Sequence, residues 1–296
     1  MLARLVEAAE DLSLPPAVLT FDPHPREYFA PASAPARLSS LRSKLDLFRA
    51  YGVALTFVAR FDARLASLSA EAFVRDVLER GLQTRWLLVG EDFRFGRARS
   101  GDLAFLRSLH RSFSVEAMRT VTIDGDRASS TAVRNALASG DLGLASALLG
   151  RNYTITGRVA HGRKLGRSLG FPTANIVLRR KPALAGIFAV RVHGLGDTAV
   201  PGVASVGVRP TVTSSGRPLA EVYLLDFDAP IYGRRITIEF LHKLRDEARF
   251  ADLPALTRQI ARDVDDARGY FSRAPDPRNR SEPRCPTTPA ATTSRR

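Results

Sequence analysis

Cysteine is almost absent from this chain of 296 residues, which contains only Cys285. A single cysteine excludes a disulfide within the chain and a zinc site built from cysteine pairs. No segment approaches the roughly 18–20 consecutive apolar residues that a membrane-spanning helix needs. The opening segment MLARLVEAAEDLSL contains acidic residues and no long apolar core, so it is not a secretory signal. These absences predict a cytoplasmic protein without a membrane partner.

Lysine is also scarce, although the chain is strongly basic. The 44 Lys and Arg residues against 30 Asp and Glu residues give a net charge of +14. The only lysines are Lys44, Lys164, Lys181 and Lys243. Arginine in an alanine-rich chain is typical of a GC-rich coding sequence, and no dense basic run carries interleaved aromatic residues. We therefore expect no nucleic-acid partner and keep a basic RNA-binding protein only as a minor alternative.

The first half of the chain alternates short apolar runs with helical patterns. The runs are Ala17–Asp22, Val53–Ala59 and Arg85–Gly90. Such alternation favours an α/β domain with a parallel, Rossmann-like sheet covered by helices, in which ligands bind at the carboxyl ends of the strands. A helical stripe starts at Leu2 with no strand before it, which is unusual for such a domain.

The second half changes to short segments of period-two alternation, which indicate an antiparallel sheet or small barrel. These segments are Tyr153–Val159, Gly186–Val192, Val203–Val208, Glu221–Phe227 and Ile236–Leu241. A last helix follows, with Asp252 as its expected N-cap. We predict an α/β domain over 1–147, an all-β domain with a C-terminal helix over 148–272, and a disordered tail over 273–296 that is rich in Pro, Thr and Arg.

The segment GRVAHGRKLGRSLGFPTAN is the densest motif of the chain. Its glycines recur every four residues among basic side chains: Gly162, Gly166 and Gly170 with Arg163, Lys164 and Arg167. Glycines let backbone amides approach an anion, and the basic side chains add charge, as a phosphate-binding loop requires. A mobile hairpin loop explains the same spacing.

Thr173 and Asn175 of the PTAN segment lie two residues apart, so in an extended strand they face the same side. Their oxygens suit Mg²⁺ that also holds ATP phosphates. The alternative is a turn in which the two side chains make local hydrogen bonds.

These residues resemble a known family. HGRKLGRSLGFPTAN, GVASVGVRPT, AEVYLLDFDAPIYG and LRDEARF are similar, in this order, to the riboflavin kinase module. Over about residues 1–271, the chain resembles the bifunctional bacterial riboflavin kinase/FMN adenylyltransferase family. The resemblance implies a six-stranded antiparallel barrel for the second half. It also implies ATP- and Mg²⁺-dependent phosphorylation of riboflavin to FMN, in a family that also converts FMN to FAD.

The resemblance assigns roles to residues of the second half. Thr173 and Asn175 would bind Mg²⁺ and ATP phosphates, and Glu221 would be the catalytic base. Further ATP contacts are expected from Gly162, Lys164, Gly166 and Arg167. Arg245 and Phe250 match the region that lies over the flavin. Without the surrounding motif, Glu221 reads as a solvent-facing strand residue.

TFDPHP, GEDFRFG and SSTAVR in the first half resemble the adenylyltransferase module. ATP would be bound there by Asp92, Ser130, Thr131 and Arg134. Each motif also has a simpler explanation. Asp92 reads as a loop cap, Phe93 and Phe95 as core residues, and His24 as a turn histidine.

The chain departs from the family at one motif. Members open with a strand and a glycine-rich turn carrying two histidines, HxGH, and these 296 residues contain no HxGH. Either the motif belongs to a segment that precedes Met1, which the helical start favours, or adenylylation has been lost. We therefore expect inefficient FMN adenylylation from this chain, and a single-activity riboflavin kinase with an inactive first domain is the alternative. A monomer or weak homo-oligomer is expected.

Overall fold

The computed structural model describes residues 1–109, 113–123, 125–162, 166, 169–208 and 218–273. The helices within these residues are α1 (Leu2–Asp11), α2 (Pro25–Phe29), α3 (Leu41–Ala50), α4 (Ala63–Ser67), α5 (Ala70–Ala72, continued by the π-helical segment Phe73–Gly81), α6 (Leu103–Ser108), α7 (Ser130–Ser139), α8 (Leu142–Leu149) and α9 (Leu253–Arg273). The strands are β1 (Ala17–Asp22), β2 (Leu55–Arg60), β3 (Trp86–Gly90), β4 (Ser114–Met118), β5 (Thr122–Ile123), β6 (Asp126–Arg127), β7 (Thr154–Arg158), β8 (Thr173–Val177), β9 (Gly186–His193), β10 (Val200–Val208), β11 (Pro218–Leu224) and β12 (Arg235–Arg245).

The first half has the expected α/β architecture with parallel strands. β1 pairs with β2 in parallel, with Ala17 opposite Leu55, and β3 pairs with β4 in the same sense. Polar residues cap several helices, as when the Ser40 side chain accepts a hydrogen bond from the amide of Ser43. The strands form two separate pairs among the described residues and not the single sheet that the sequence predicts. β1 and β3 therefore each keep one unpaired edge.

A cavity of about 890 Å³ lies between the two pairs. It is lined by the consecutive residues 85–90 of the β3 region and 17–19 of β1. Because successive side chains of a strand point to opposite faces, a lining of consecutive residues means that the strand edges face the cavity. α1 contributes Leu5 and Ala9 to the same wall. No residue of β1 or β2 is fully buried, so this part of the chain is loosely packed.

The second half is a six-stranded antiparallel sheet in the order β7-β12-β9-β10-β11-β8. A bridge between Ala160 and Asn175 brings the region after β7 against β8, which nearly closes the sheet into a barrel. Phe188, Phe240 and Ile236 fill the interior and are almost completely buried. The period-two patterns and the resemblance predicted this barrel, and the prediction is confirmed.

α9 covers one outer region of the barrel. The Asp252 carboxylate accepts a hydrogen bond from the amide of Ala255 at 2.7 Å, so it caps this helix as the sequence predicts. Val264 and Ala267 of α9 pack against outward-facing residues of β9 and β10, among them Ala189 and Val203. The helix thereby shields the outer face of the central strands.

The two halves meet along the segment that precedes α3. Arg37 forms a parallel bridge with Pro182, and Leu38 packs against the barrel core. Farther along, Arg235 of β12 forms an ion pair with Asp46 of α3 at 2.8 Å. Among the helices described, none is long and apolar enough to cross a membrane.

This packing predicts unequal hydrogen exchange in the two halves. Backbone amides of β1 and β2 should exchange at least about tenfold faster than those of β9 and β10, because β1 and β2 lie beside a cavity and none of their residues is fully buried. Hydrogen–deuterium exchange read by mass spectrometry of peptides measures both regions in one sample. Equal protection of β1 and β9 would show that the cavity does not weaken the first half.

Candidate active site

Thr173 and Asn175 lie on the outer face of the barrel. The alternate residues Ala174 and Ile176 are buried in the interior, so the pleat of β8 turns Thr173 and Asn175 outward. Asn175 is nevertheless only 7% exposed. Its Nδ2 donates to the Thr173 carbonyl at 3.1 Å, which leaves Oδ1 as a hydrogen-bond acceptor. Thr173 and Asn175 thus lie in a strand and not in the turn that the sequence offered as the alternative, and Asn175 makes a local hydrogen bond within it.

Glu221 lies directly opposite Asn175 in the antiparallel pair of β8 and β11. Its neighbours Ala220 and Val222 are completely buried, so the Glu221 side chain is on the same outer face as Asn175. Residues opposite one another have Cβ atoms about 4.5–5.5 Å apart. On its other side, Glu221 faces Ser205 of β10. The structure therefore brings Thr173, Asn175 and Glu221 together in one patch, which we call the β8–β11 patch.

Glycine is required where the predicted loop meets this patch. A Cβ atom on Gly162 would lie 2.5 Å from Asn175 Nδ2, and one on Gly166 would lie 2.4 Å from the Phe171 carbonyl oxygen. The Phe171 amide also donates to the Gly166 carbonyl at 2.7 Å. Both glycines therefore lie against the segment that carries Thr173 and Asn175. Lys164 and Arg167, the other predicted contacts of this loop, lie outside the described residues.

Arg245, an expected flavin contact, lies at the end of β12. Its guanidinium donates two hydrogen bonds to the Asp263 carboxylate of α9, at 2.7 and 2.6 Å. The Asp263 side chain is only 4% exposed. Phe250 lies under the same guanidinium, 5.8 Å from ring centre to Cζ. Arg245 thus fastens α9 to the end of β12, and its charge is already compensated by Asp263.

Glu247 is a further residue near the β8–β11 patch that the sequence analysis missed. A Cβ atom on Gly207 would lie 1.9 Å from Glu247 Oε1, so the carboxylate occupies the space that a side chain would fill. Gly207 lies two residues beyond Ser205, on the same face of β10. Partial burial raises the pKa of the Glu247 carboxyl above its usual value, and Arg245 opposes this shift. A second carboxyl group therefore lies close to Glu221.

The residues that are predicted to contact ATP in the first half lie after the carboxyl end of β3 and at the start of α7. Asp92 follows β3 and forms an exposed ion pair with Arg127 at 2.8 Å. Phe95 is buried and stacks on Phe93, with ring centres 5.4 Å apart. The structure therefore supports the interpretation of Phe93 and Phe95 as core residues.

α7 begins within the SSTAVR motif. Ser129 is its N-cap and accepts a hydrogen bond from the Ala132 amide at 3.1 Å. Ser130 and Thr131 form the exposed first turn. Arg134 Nε donates to the Ala36 carbonyl at 2.7 Å, and Arg134 Nη1 donates to the Ser130 carbonyl at 3.0 Å. The motif thus places two hydroxyl groups and a guanidinium on one helix end.

Both halves of the chain match known enzyme families. The family model described as riboflavin kinase matches residues 149–271, and the model described as FAD synthetase matches residues 1–132. The bifunctional riboflavin kinase/FMN adenylyltransferase of Escherichia coli (strain K12) is 46% identical over 274 residues, which cover 92% of this chain and 87% of that protein.

Its counterpart in Pseudomonas fluorescens is 49% identical over 271 residues, which cover 90% of this chain and 86% of that protein. A solved structure named macrolide-efflux protein, from Streptococcus pneumoniae, matches with a TM-score of 0.73 at 27% identity, over 90% of this chain and 88% of that one. The name of that protein refers to another activity. Its likeness to this chain shows a fold that the two proteins share along both halves. The chain belongs to the bifunctional riboflavin kinase/FMN adenylyltransferase family, as the resemblance of its motifs predicts.

The clamp between Arg245 and Asp263 yields a stability prediction. Asp263→Asn leaves a largely buried guanidinium without its counter-charge and should lower the free energy of unfolding by about 3 kcal/mol. Urea denaturation followed by circular dichroism measures this change. Arg268→Ala is the matched control on α9, because it removes an ion pair with Asp226 in which both side chains are largely exposed. If both variants lose the same free energy of unfolding, burial does not strengthen the ion pair between Arg245 and Asp263.

Proposed function

We propose that the barrel half transfers the γ-phosphoryl group of ATP to the 5′-hydroxyl of riboflavin, giving FMN and ADP. The observation that carries this proposal is the meeting of Thr173, Asn175 and Glu221 on two paired strands. Oxygen donors for a metal–nucleotide pair and a carboxylate base thereby lie within reach of one substrate. The family membership and the names of the relatives support the same reaction.

Glu221 has the chemistry of the base in this reaction. Its carboxylate accepts the proton of the riboflavin 5′-hydroxyl while that oxygen attacks the γ-phosphorus and ADP leaves. Phosphoryl transfer depends more on positioning and on charge stabilisation than on a strong base, so a carboxylate is adequate. Glu247, seated against Gly207, supplies a second acceptor with which the hydroxyl chain of the flavin can form hydrogen bonds.

Mg²⁺ fits the donor set of the β8–β11 patch. Hard cations bind oxygen ligands, and Mg²⁺ is commonly held by few protein groups together with substrate phosphates. Thr173 offers a hydroxyl group. Asn175 offers Oδ1, which is oriented because its Nδ2 is bonded to the Thr173 carbonyl. These two residues would hold the ion, which supplies charge neutralisation at the phosphates when it is bound.

We assign the transfer of AMP from ATP to FMN, which gives FAD and pyrophosphate, to the α/β half. The FAD synthetase match and the relatives support this second activity. Ser130, Thr131 and Arg134 at the start of α7 would contact ATP phosphates, and Asp92 after β3 would contact the nucleotide. The single-activity kinase remains the second candidate, since no HxGH motif occurs in these 296 residues.

Product analysis tests the assignment of the two activities. Incubation of the chain with riboflavin, ATP and Mg²⁺, followed by liquid chromatography, should show FMN as the first product and FAD as the second. FMN that accumulates without FAD would overturn the assignment of AMP transfer and leave the single-activity kinase. Failure of the folded protein to make FMN with any divalent ion would overturn the kinase assignment.

Substitution of Glu221 tests its role as base. Glu221→Gln keeps the shape of the side chain and removes the proton acceptor, so it should reduce kcat about 100-fold or more. The Kd of riboflavin should change little. Steady-state kinetics and flavin fluorescence titration separate the two effects. Glu10→Gln, on the exposed side of α1, is the control for the same chemical change, and an unchanged kcat in Glu221→Gln would remove Glu221 from the reaction.

Three further properties stay predictions from the sequence. They are a cytoplasmic location, the absence of a nucleic-acid partner, and a monomeric or weakly self-associating state. The small-molecule substrates of the proposed reactions are consistent with all three.

A further inference from the structure

The barrel has an open seam, because its sheet closes only in part. β7 and β8 are the two end strands of the six-stranded order. The Ala160 amide, just after β7, donates to the Asn175 carbonyl at 2.8 Å. A Cβ atom on Gly157 of β7 would collide with Ile176 Cγ2, so the two strands also approach closely there. Towards the start of β7, no backbone pairing joins the two strands within the described part of the chain.

The seam widens into a cavity of about 510 Å³ between the barrel and the α/β half. Residues 153–157 line the cavity from the β7 side, and residues 176–182 line it from the β8 side. Because consecutive residues of both strands line the cavity, the unpaired strand edges face it. The third side belongs to the α/β half, which contributes Leu38, Leu41 and Leu45. The seam is therefore covered by the other half of the chain and not by a barrel strand.

Leu38 faces the barrel interior through this opening. It packs against the hydrophobic cluster that fills the barrel. It lines the cavity together with Ile155 of β7 and Ile176 of β8, which both belong to that cluster. Ile176 is only 2% exposed and follows Asn175 directly in the chain. The α/β half thus places an apolar side chain behind the strand that carries Thr173 and Asn175.

The segment that carries Leu38 is held firmly on its own half. The Ala36 carbonyl accepts a hydrogen bond from Arg134 Nε at 2.7 Å. The Arg37 guanidinium pairs with two carboxylates of the α/β half, and the Arg37 backbone forms a parallel bridge with Pro182 after β8. These contacts restrain the backbone next to Leu38, so the side chain is presented to the seam by an ordered segment.

The two strands of the β8–β11 patch differ in how many neighbours support them. β11 carries Glu221 and pairs along both edges, with β10 and β8. β8 carries Thr173 and Asn175 and pairs with β11 along one edge, while its other edge has a single bridge, to Ala160, among the described residues. A loss of packing at the seam should therefore displace the groups expected to hold ATP more than the expected base.

We propose that Leu38 of the α/β half is a positioning residue for phosphoryl transfer in the barrel. It covers the open seam beside Ile176 and thereby keeps β8 in the place that directs Thr173 and Asn175 at the metal–nucleotide pair. The inference rests on the kinase function proposed above and deepens it, since part of the ATP site then depends on the other half of the chain. Misplacement of reacting groups by about 1 Å can cost about 100-fold in rate, even when its origin is remote from the chemistry.

Leu38→Ala in the full chain tests this role. Removal of the side chain should raise the KM of ATP about tenfold, because β8 loses support on its inner side. The Kd of riboflavin should change little, because Glu221 lies on a strand that is paired along both edges. Leu38→Met keeps nearly the same volume and should leave the KM of ATP close to that of the unaltered chain. Steady-state kinetics at varied ATP and flavin fluorescence titration give these values.

Leu144→Ala is the matched control. Leu144 on α8 is another partly buried leucine that packs against the same hydrophobic cluster, and it does not line the seam cavity. Both alanine variants should lose stability in urea denaturation, and Leu38→Ala alone should raise the KM of ATP. An equal rise in both variants, or no rise in folded Leu38→Ala, would overturn the proposal. If Leu38→Ala does not fold, the smaller truncation Leu38→Val should raise the KM of ATP in the same direction, and an unchanged value would overturn the proposal.

FMN production by the unaltered chain separates the two levels of inference. Absence of FMN from folded protein would refute the proposed kinase function and, with it, this role of Leu38. FMN production with the same KM of ATP in the unaltered chain and in Leu38→Ala would refute the role of Leu38 alone.

Discussion

The pairing of β8 with β11 is the constraint on which the barrel site depends. Its register places Asn175 opposite Glu221 and Thr173 opposite Tyr223. A slip by one residue would turn every side chain of β8 to the other face. Ala174 and Ile176 would then leave the core, and two polar groups would enter it without partners. Burial of apolar side chains thus fixes the same register that the proposed chemistry requires.

Much of this arrangement is readable in the sequence because it is local. Period-two alternation identifies most of the barrel strands, and the spacing of Thr173 and Asn175 assigns them to one face. The cap at Asp252 follows from residue type and position. The resemblance to a family adds the role of Glu221, which alternation alone assigns to solvent. Strand periodicity, helix capping and extended motifs are therefore the features that the sequence predicts well.

Other features depend on contacts between residues distant in the chain. Glu247 lies against Gly207, and neither motif spacing nor periodicity encodes that contact. The ion pair of Arg245 with Asp263 is another such contact, which the LRDEARF motif does not reveal. The sequence also does not predict that the parallel strands separate into two pairs, because apolar runs indicate strands but not which strand edges pair.

The two halves present different polar groups at their candidate sites. At the barrel, glycines bring backbone close to Asn175, and neutral oxygen donors suit a metal–nucleotide pair. At the end of β1, Lys44 donates to the Thr20 hydroxyl, and Arg37 pairs with the carboxylates of Asp22 and Glu27. Lys44 is one of only four lysines in a chain whose positive charge is otherwise arginine. Its partly buried position there contrasts with the exposed arginines that dominate the surface charge.

Arg37 connects these two regions physically. Its backbone forms a bridge with Pro182, which follows β8 of the barrel, while its side chain binds the carboxylates of Asp22 and Glu27 near the end of β1. A shift of the barrel edge would therefore move the guanidinium that pairs with both carboxylates. The packing of one half on the other thus bears on the ion pairs at the end of β1.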